Sequence, residues 1–152
     1  EWQNAQRFSI SHEIEPADNG PAQHATDVFV THTETAIYMG FIDFCDMKSL
    51  RSSLRSRDNI GNDDNVAVGF DPYGDGRYMI VLGANPEGNQ FDFKMLPNGN
   101  QDDYDLSYET KASKHDNAYH VELVKSLLIN TGTVCRTIIF RKHRFHLMIH
   151  FM

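Results

Sequence analysis

Oxygen ligands crowd one stretch of the chain. Asn62-Asp63-Asp64 precedes a short apolar run, and Asp71-Pro72-Tyr73-Gly74-Asp75-Gly76 follows it. Carboxylates and turn carbonyls at that density suit a hard cation such as calcium, which takes about six to eight oxygens at about 2.3–2.6 Å. Asp63, Asp64, Asp71 and Asp75 are therefore the candidate metal ligands. The stretch lacks the ordered D-x-D-x-D pattern and closing Glu of an EF-hand. Asp-Pro and Asp-Gly pairs also build turns without any metal, so at this point both readings stand.

The histidines of the tail suggest zinc, because His146 and His150 are four apart and His143 is close by. The surrounding Ile and Phe residues alternate as a strand does, and positions four apart in a strand are separated by about 13 Å, too far to share one ion. Glycoside hydrolysis needs two carboxylates facing each other at about 5–5.5 Å or about 6.5–9.5 Å. Here the acids gather in turns instead, and the G-x-S-x-G nucleophile motif is absent. Binding is the better expectation than catalysis.

Aromatic side chains can carry such binding, since the apolar face of a pyranose packs on a flat ring while polar neighbours bond its hydroxyls. The chain has one Trp, six Tyr and ten Phe. Trp2 is expected to plug the core. Tyr73, Tyr104 and Tyr108 lie in or beside polar loops and are the expected exposed platforms.

The elements that must hold these residues are short. At 152 residues the chain is of a size for one domain with one core. Its 21 acidic and 14 basic residues give a net charge of -7, which opposes binding to nucleic-acid phosphates or an anionic membrane surface. Cys45 and Cys135 have no CxxC spacing, and a disulfide between them is an open possibility. No apolar run approaches the roughly 20 residues of a membrane helix. The start, Glu1-Trp2-Gln3, reads as a mature or excised piece of a larger protein.

Ala36 to Phe44 alternates with both faces largely apolar, as a central strand does. Thr26 to Thr31 reads as its partner, joined through a hairpin connection of His32 to Thr35. Asp46 is placed as an N-cap, with Met47, Leu50 and Leu54 at helical spacing. One or two helical turns or an extended run both fit there. Ser56 to Asp64 is a loop on composition. Val66 to Phe70, Tyr78 to Ala84, Phe91 to Met95 and Tyr119 to Leu123 follow as strands, separated by Gly-, Asn- and Asp-rich turns. From Thr137 the tail alternates as one strand or two, with Phe145, Leu147, Ile149 and Phe151 on one side. Short strands with regular turns predict an all-β, antiparallel β-sandwich with at most a short helical turn.

The order of these pieces carries a resemblance. A Trp-x-x-Ala start is followed by Ala36-Ile37-Tyr38-Met39-Gly40-Phe41, Arg57-Asp58, Asp63-Asp64-Asn65-Val66, Phe70-Asp71, and Asn85-Pro86-Glu87-Gly88-Asn89-Gln90-Phe91-Asp92. Residues 1 to 128 resemble the family-nine-type carbohydrate-binding domain found at the N-terminus of large bacterial outer-membrane proteins that carry a β-barrel after it. Two departures stand out. Tyr104 and Tyr108 occupy the region where those proteins usually have tryptophans, and the usual Ile-Pro-Phe is missing at Val124-Lys125. Further on, Cys135 to Arg141 is similar to the family's Trp-Arg-x-x-Phe-x-Arg strand.

The resemblance implies a jelly-roll-like sandwich, structural calcium, and glycan binding linked to carbohydrate breakdown. It also implies exposure in the periplasm, at the outer membrane or on the cell exterior. On that reading Tyr73, Tyr104 or Tyr108 stacks on a sugar while Arg57, Asp64, Asn85 or Gln90 bonds its hydroxyls. The alternative is a structural or interaction domain packed on an outer-membrane β-barrel, with the sugar site lost.

Overall fold

Most of the alternating apolar runs become strands. The computed structural model describes residues 2–13, 20–126, 137–142 and 145–150. There, one 3-10 turn, Trp2–Asn4, precedes the strands β1 (Gln6–Glu13), β2 (Gly20–His32), β3 (Ala36–Phe44), β4 (Val66–Asp71), β5 (Met79–Ala84), β6 (Gln90–Leu96), β7 (Gly99–Gln101), β8 (Glu109–Lys114), β9 (Ala118–Ser126), β10 (Thr137–Lys142) and β11 (Phe145–His150). They form two antiparallel sheets, ordered β1-β2-β3-β9-β8 and β11-β10-β4-β5-β6-β7. The chain is the all-β sandwich its patterning predicts.

One core joins the sheets. Val28, Met39, Phe41, Val121 and Leu123 from the first sheet meet Val66, Val68, Phe70 and Leu82 from the second. Side chains directly opposite one another on paired strands point to the same face. Leu82 faces the core and pairs with Asp92, while Ala84 pairs with Gln90 and Ile80 with Lys94. Strand β6 therefore presents Gln90, Asp92 and Lys94 on the inner side of its sheet, and Phe91, Phe93 and Met95 on the outer side. A second, smaller cluster of Ala67, Val81 and Phe91, with Ile60 and Phe93 against it, gives that outer face its own apolar floor. This explains why β4 is buried along its whole length.

One expectation changes, at Trp2. Trp2 does not enter the core. Its ring lies against Gly40, where a Cβ would come within 3.1 Å of the indole, and its N–H donates to Glu122 at 3.1 Å. Gly40 and Glu122 alternate with the core residues Met39, Phe41, Val121 and Leu123, so Trp2 covers the outer face of the first sheet. Asp46 does cap, accepting the Lys48 N–H at 3.0 Å, and the Ser49 N–H reaches the Asp46 carbonyl at 2.9 Å, but only a single turn follows. The polar strand β8 carries little apolar alternation, while β1 alternates only briefly, through Phe8 and Ile10, and the pairing of both is seen only in the sheet. In the tail, His146 and His150 lie on one strand, which keeps them apart. His143, Cys135 and Phe151 lie outside the described residues. Cys45 is half-buried against the core, with its thiol 3.8 Å from the Met47 sulfur.

Candidate functional site

Asp71 ends β4, and its carboxylate organises the turn that follows. Oδ1 accepts the Tyr73 and Gly74 amides at 3.1 and 2.7 Å, and Oδ2 accepts the Gly76 amide at 2.8 Å. Gly74 and Gly76 adopt φ of 66° and 70°, a region open to glycine without a steric cost. Burial raises the Asp71 carboxyl, but these backbone N–H groups outweigh it and hold the group below its ordinary value. The turn lifts Tyr73 outward until its ring is 72% exposed.

Tyr73 does not stand alone. Its ring centroid is 5.7 Å from that of Tyr78, tilted by 54°, and Tyr78 is half-buried just before β5. Lys94, on the inner side of β6, places its ammonium 4.1 Å from the centroid of the Tyr104 ring, a cation–π geometry. Burial raises the Tyr104 phenol, and Tyr78 adds to the rise, so these two rings lie within electrostatic reach. Burial likewise raises the Tyr78 phenol, with Tyr73 adding to it. Both hydroxyls therefore stay protonated at neutral pH and can donate as well as accept. The region offers one exposed flat face, one ring packed beside it, and a nearby phenol that carries an ammonium on its face.

The other expected sugar contacts serve the scaffold. Tyr108 is 7% exposed, and its hydroxyl lies 2.8 Å from both the Gly83 and the Phe91 carbonyls, which share its one proton. Its ring lies under the Arg57 guanidinium at 5.4 Å. A ring so enclosed has no face for a sugar, which corrects the expectation of exposure. Arg57 donates to Gln90, to Asp92 and to the Leu106 carbonyl, and Gln90 in turn donates to the Tyr108 carbonyl. Burial lifts the Asp92 carboxyl above its ordinary value, even though the Leu106 N–H and Arg57 oppose the rise.

Asn85 is fully buried. Its amide donates to the Ser53 carbonyl at 2.9 Å and to Asp63 at 3.0 Å, while its Oδ1 accepts the Glu87 and Asn89 amides at 3.0 and 2.9 Å. Asp64 accepts the Arg51 amide at 2.9 Å. These bonds pin the long connection between β3 and β4 to the sandwich. They leave Asn85 no donor or acceptor for a glycan.

The candidate calcium ligands are not brought together either. Asp63 and Asp71 flank opposite ends of β4, roughly 20 Å apart at strand rise. Asp63 accepts the Ser53 amide at 3.0 Å and hydroxyl at 3.3 Å, the Arg55 guanidinium at 3.3 Å, and Asn85. Burial raises its carboxyl, and these donors more than reverse the effect. Asp75 turns its carboxylate onto the Arg77 amide at 2.9 Å. Among the described residues no three His, Cys, Asp or Glu side chains form a group able to hold a metal. The four carboxylates do not fit a single shared calcium ion, because Asp63 and Asp71 lie at opposite ends of β4.

Of the expected aromatics, Tyr73 packs beside Tyr78, and Tyr104 lies against Lys94 within electrostatic reach of Tyr78. Tyr78 and Lys94 were not singled out in the sequence. The one signal for Lys94 was a charged residue at an alternating position between apolar neighbours, and Tyr78 is marked only by following the Tyr73 turn. No family model matches the chain, and no curated protein matches it.

Proposed function

We propose that this domain is a non-catalytic glycan-binding module whose ligand stacks on Tyr73. The exposed Tyr73 ring, backed by Tyr78, carries the reading. An aromatic ring left in water is held there by a turn that Asp71 organises, with the tilted Tyr78 ring packed beside it. Tyr104 and Lys94 supply hydroxyl and ammonium donors beside it, the polar complement that sugar hydroxyls require. The resemblance to family-nine-type carbohydrate-binding domains points to the same ligand class, met in the periplasm or outside the cell.

With one exposed ring, affinity for a neutral oligosaccharide is in the range of about millimolar to micromolar. A glycan array followed by calorimetry tests it. Tyr73→Ala is expected to weaken binding by about tenfold, the loss of one aromatic contact of about 1.4 kcal/mol, with an unchanged melting curve. No heat with any neutral oligosaccharide would sink the reading.

A further inference from the structure

A cavity of about 390 Å³ opens on the outer face of the second sheet, on the opposite side of β6 from Lys94. Its floor is Ile60, Ala67, Val81, Phe91 and Phe93, contributed by three adjacent strands and one loop. The rim carries Asp58, Asn65, Asn100 and Asp102; Asp58 has the Arg57 guanidinium 3.6 Å from its carboxylate, whereas Asp102 is exposed and has no ion pair among the described residues. Its volume is that of a small-molecule site, which typically spans about 300–1,000 Å³.

The cavity is built in advance of any ligand. The loop that forms one wall is pinned where the Asp92 amide donates to Asp58 at 3.0 Å, and where the Asp58 amide donates to the Gln90 carbonyl at 2.9 Å. Asp58 holds φ of 63°, the one described non-glycine residue with positive φ. Such a conformation persists where surrounding bonds fix it. A wall fixed this way reduces the ordering cost of binding.

From the acidic rim over an aromatic floor we infer that the cavity binds a small organic ammonium ion with an apolar body. The apolar body covers Phe93 and Val81. The ammonium meets Asp102, with Asp58, already partnered by Arg57, as the more distant second carboxylate, within a domain of net charge -7. Asn65 and Asn100 supply amide oxygens to its remaining N–H groups. The inference is independent of the Tyr73 platform, which lies on the other side of the same sheet.

The ammonium could belong to a free amine or to an amino sugar, and the probes separate these sources. Amide resonances of the whole 152-residue chain are followed while phenethylammonium is added, with 2-phenylethanol as the neutral analogue and glucosamine against N-acetylglucosamine as the sugar pair. Saturable shifts are expected at Ile60, Gly61, Asn65, Asn100 and Asp102. The cationic member should bind about fivefold more tightly than its neutral counterpart, the scale of one exposed cation–π or ion-pair contact. Preference within the phenyl pair alone assigns a free amine, and preference within the sugar pair assigns an amino sugar. Asp102→Asn should erase that preference without altering the fold, because the residue is exposed. Asp58→Asn should reduce it, since Asn keeps the bonding oxygen and tolerates the same φ. Equal affinity for charged and neutral probes, shifts confined to the Tyr73 region, or an unaffected Asp102→Asn variant would each overturn the assignment.

Discussion

Asp71 and Tyr73 divide one task between them. The carboxylate gathers three backbone amides, and the ring they carry is what a ligand meets. Removing each residue should therefore have a different signature. Asp71→Ala strands three amides and should cost about 2 kcal/mol of stability, the scale of a lost charged hydrogen bond, with sugar affinity falling because Tyr73 loses its perch. Tyr73→Ala should leave the thermal midpoint alone and lose only affinity. Paired melting and calorimetry distinguish them, and equal destabilisation by both would contradict the division. The placement of the carboxylates governs the response to metal. Because Asp63 and Asp71 lie at opposite ends of β4, excess chelator should leave the melting temperature unchanged, whereas a resident ion would make it fall.

At the level of strands, β4, β5 and β6 lock together through a glycine. A Cβ at Gly83 would lie 2.3 Å from the Val66 carbonyl oxygen and 2.5 Å from the Phe91 ring. The backbone cannot yield without parting the strands. Gly83→Ala should thus destabilise the fold by about 3 kcal/mol, the upper range for overpacking, read as a lower denaturant midpoint. A change below about 1 kcal/mol would mean that Phe91 moves aside freely. This packing also marks what could be read in advance. Ala36 to Phe44 and Val66 to Phe70 announce themselves because both faces are apolar, a local property. β8 (Glu109–Lys114) pairs with β9 yet shows mostly exposed residues, so no alternation reveals it. The pattern of β6 was legible but its direction was not, because the facing side chain of Leu82 decides which way Asp92 points. Tyr108 misled for the same reason. Its neighbours in sequence are polar, but its hydroxyl finds Gly83 and Phe91, which only the assembled sheet brings to it.

Across the whole molecule, these placements set how the fold answers to pH. The His120 ring is held below its ordinary value by burial first and by neighbouring His115 second, the two ring centroids being 4.0 Å apart. An unfolded chain would take up that proton more readily, so the neutral ring's share of stability is present above about pH 6.5 and is lost as pH falls through the folded value. Asp63 and Asp71 are also depressed, and so is Glu87, chiefly by its hydrogen bond from Lys114. Their share is present above the unfolded carboxylate range near about pH 4 and is lost only as pH falls below it. Asp92 runs the other way. Its raised value lets the folded state take a proton first, which offsets part of the acid loss between its own titration and that of the unfolded chain. Acidification should therefore weaken the fold in two stages, an early one below about pH 6.5 and a later one below about pH 4. Denaturant unfolding measured from neutral to acid pH should show both, and His120→Gln should remove the first while leaving the second. A variant that keeps the early stage would assign it to a different histidine, whereas a single carboxylate stage in the wild-type chain would mean that burial does not lower the His120 ring.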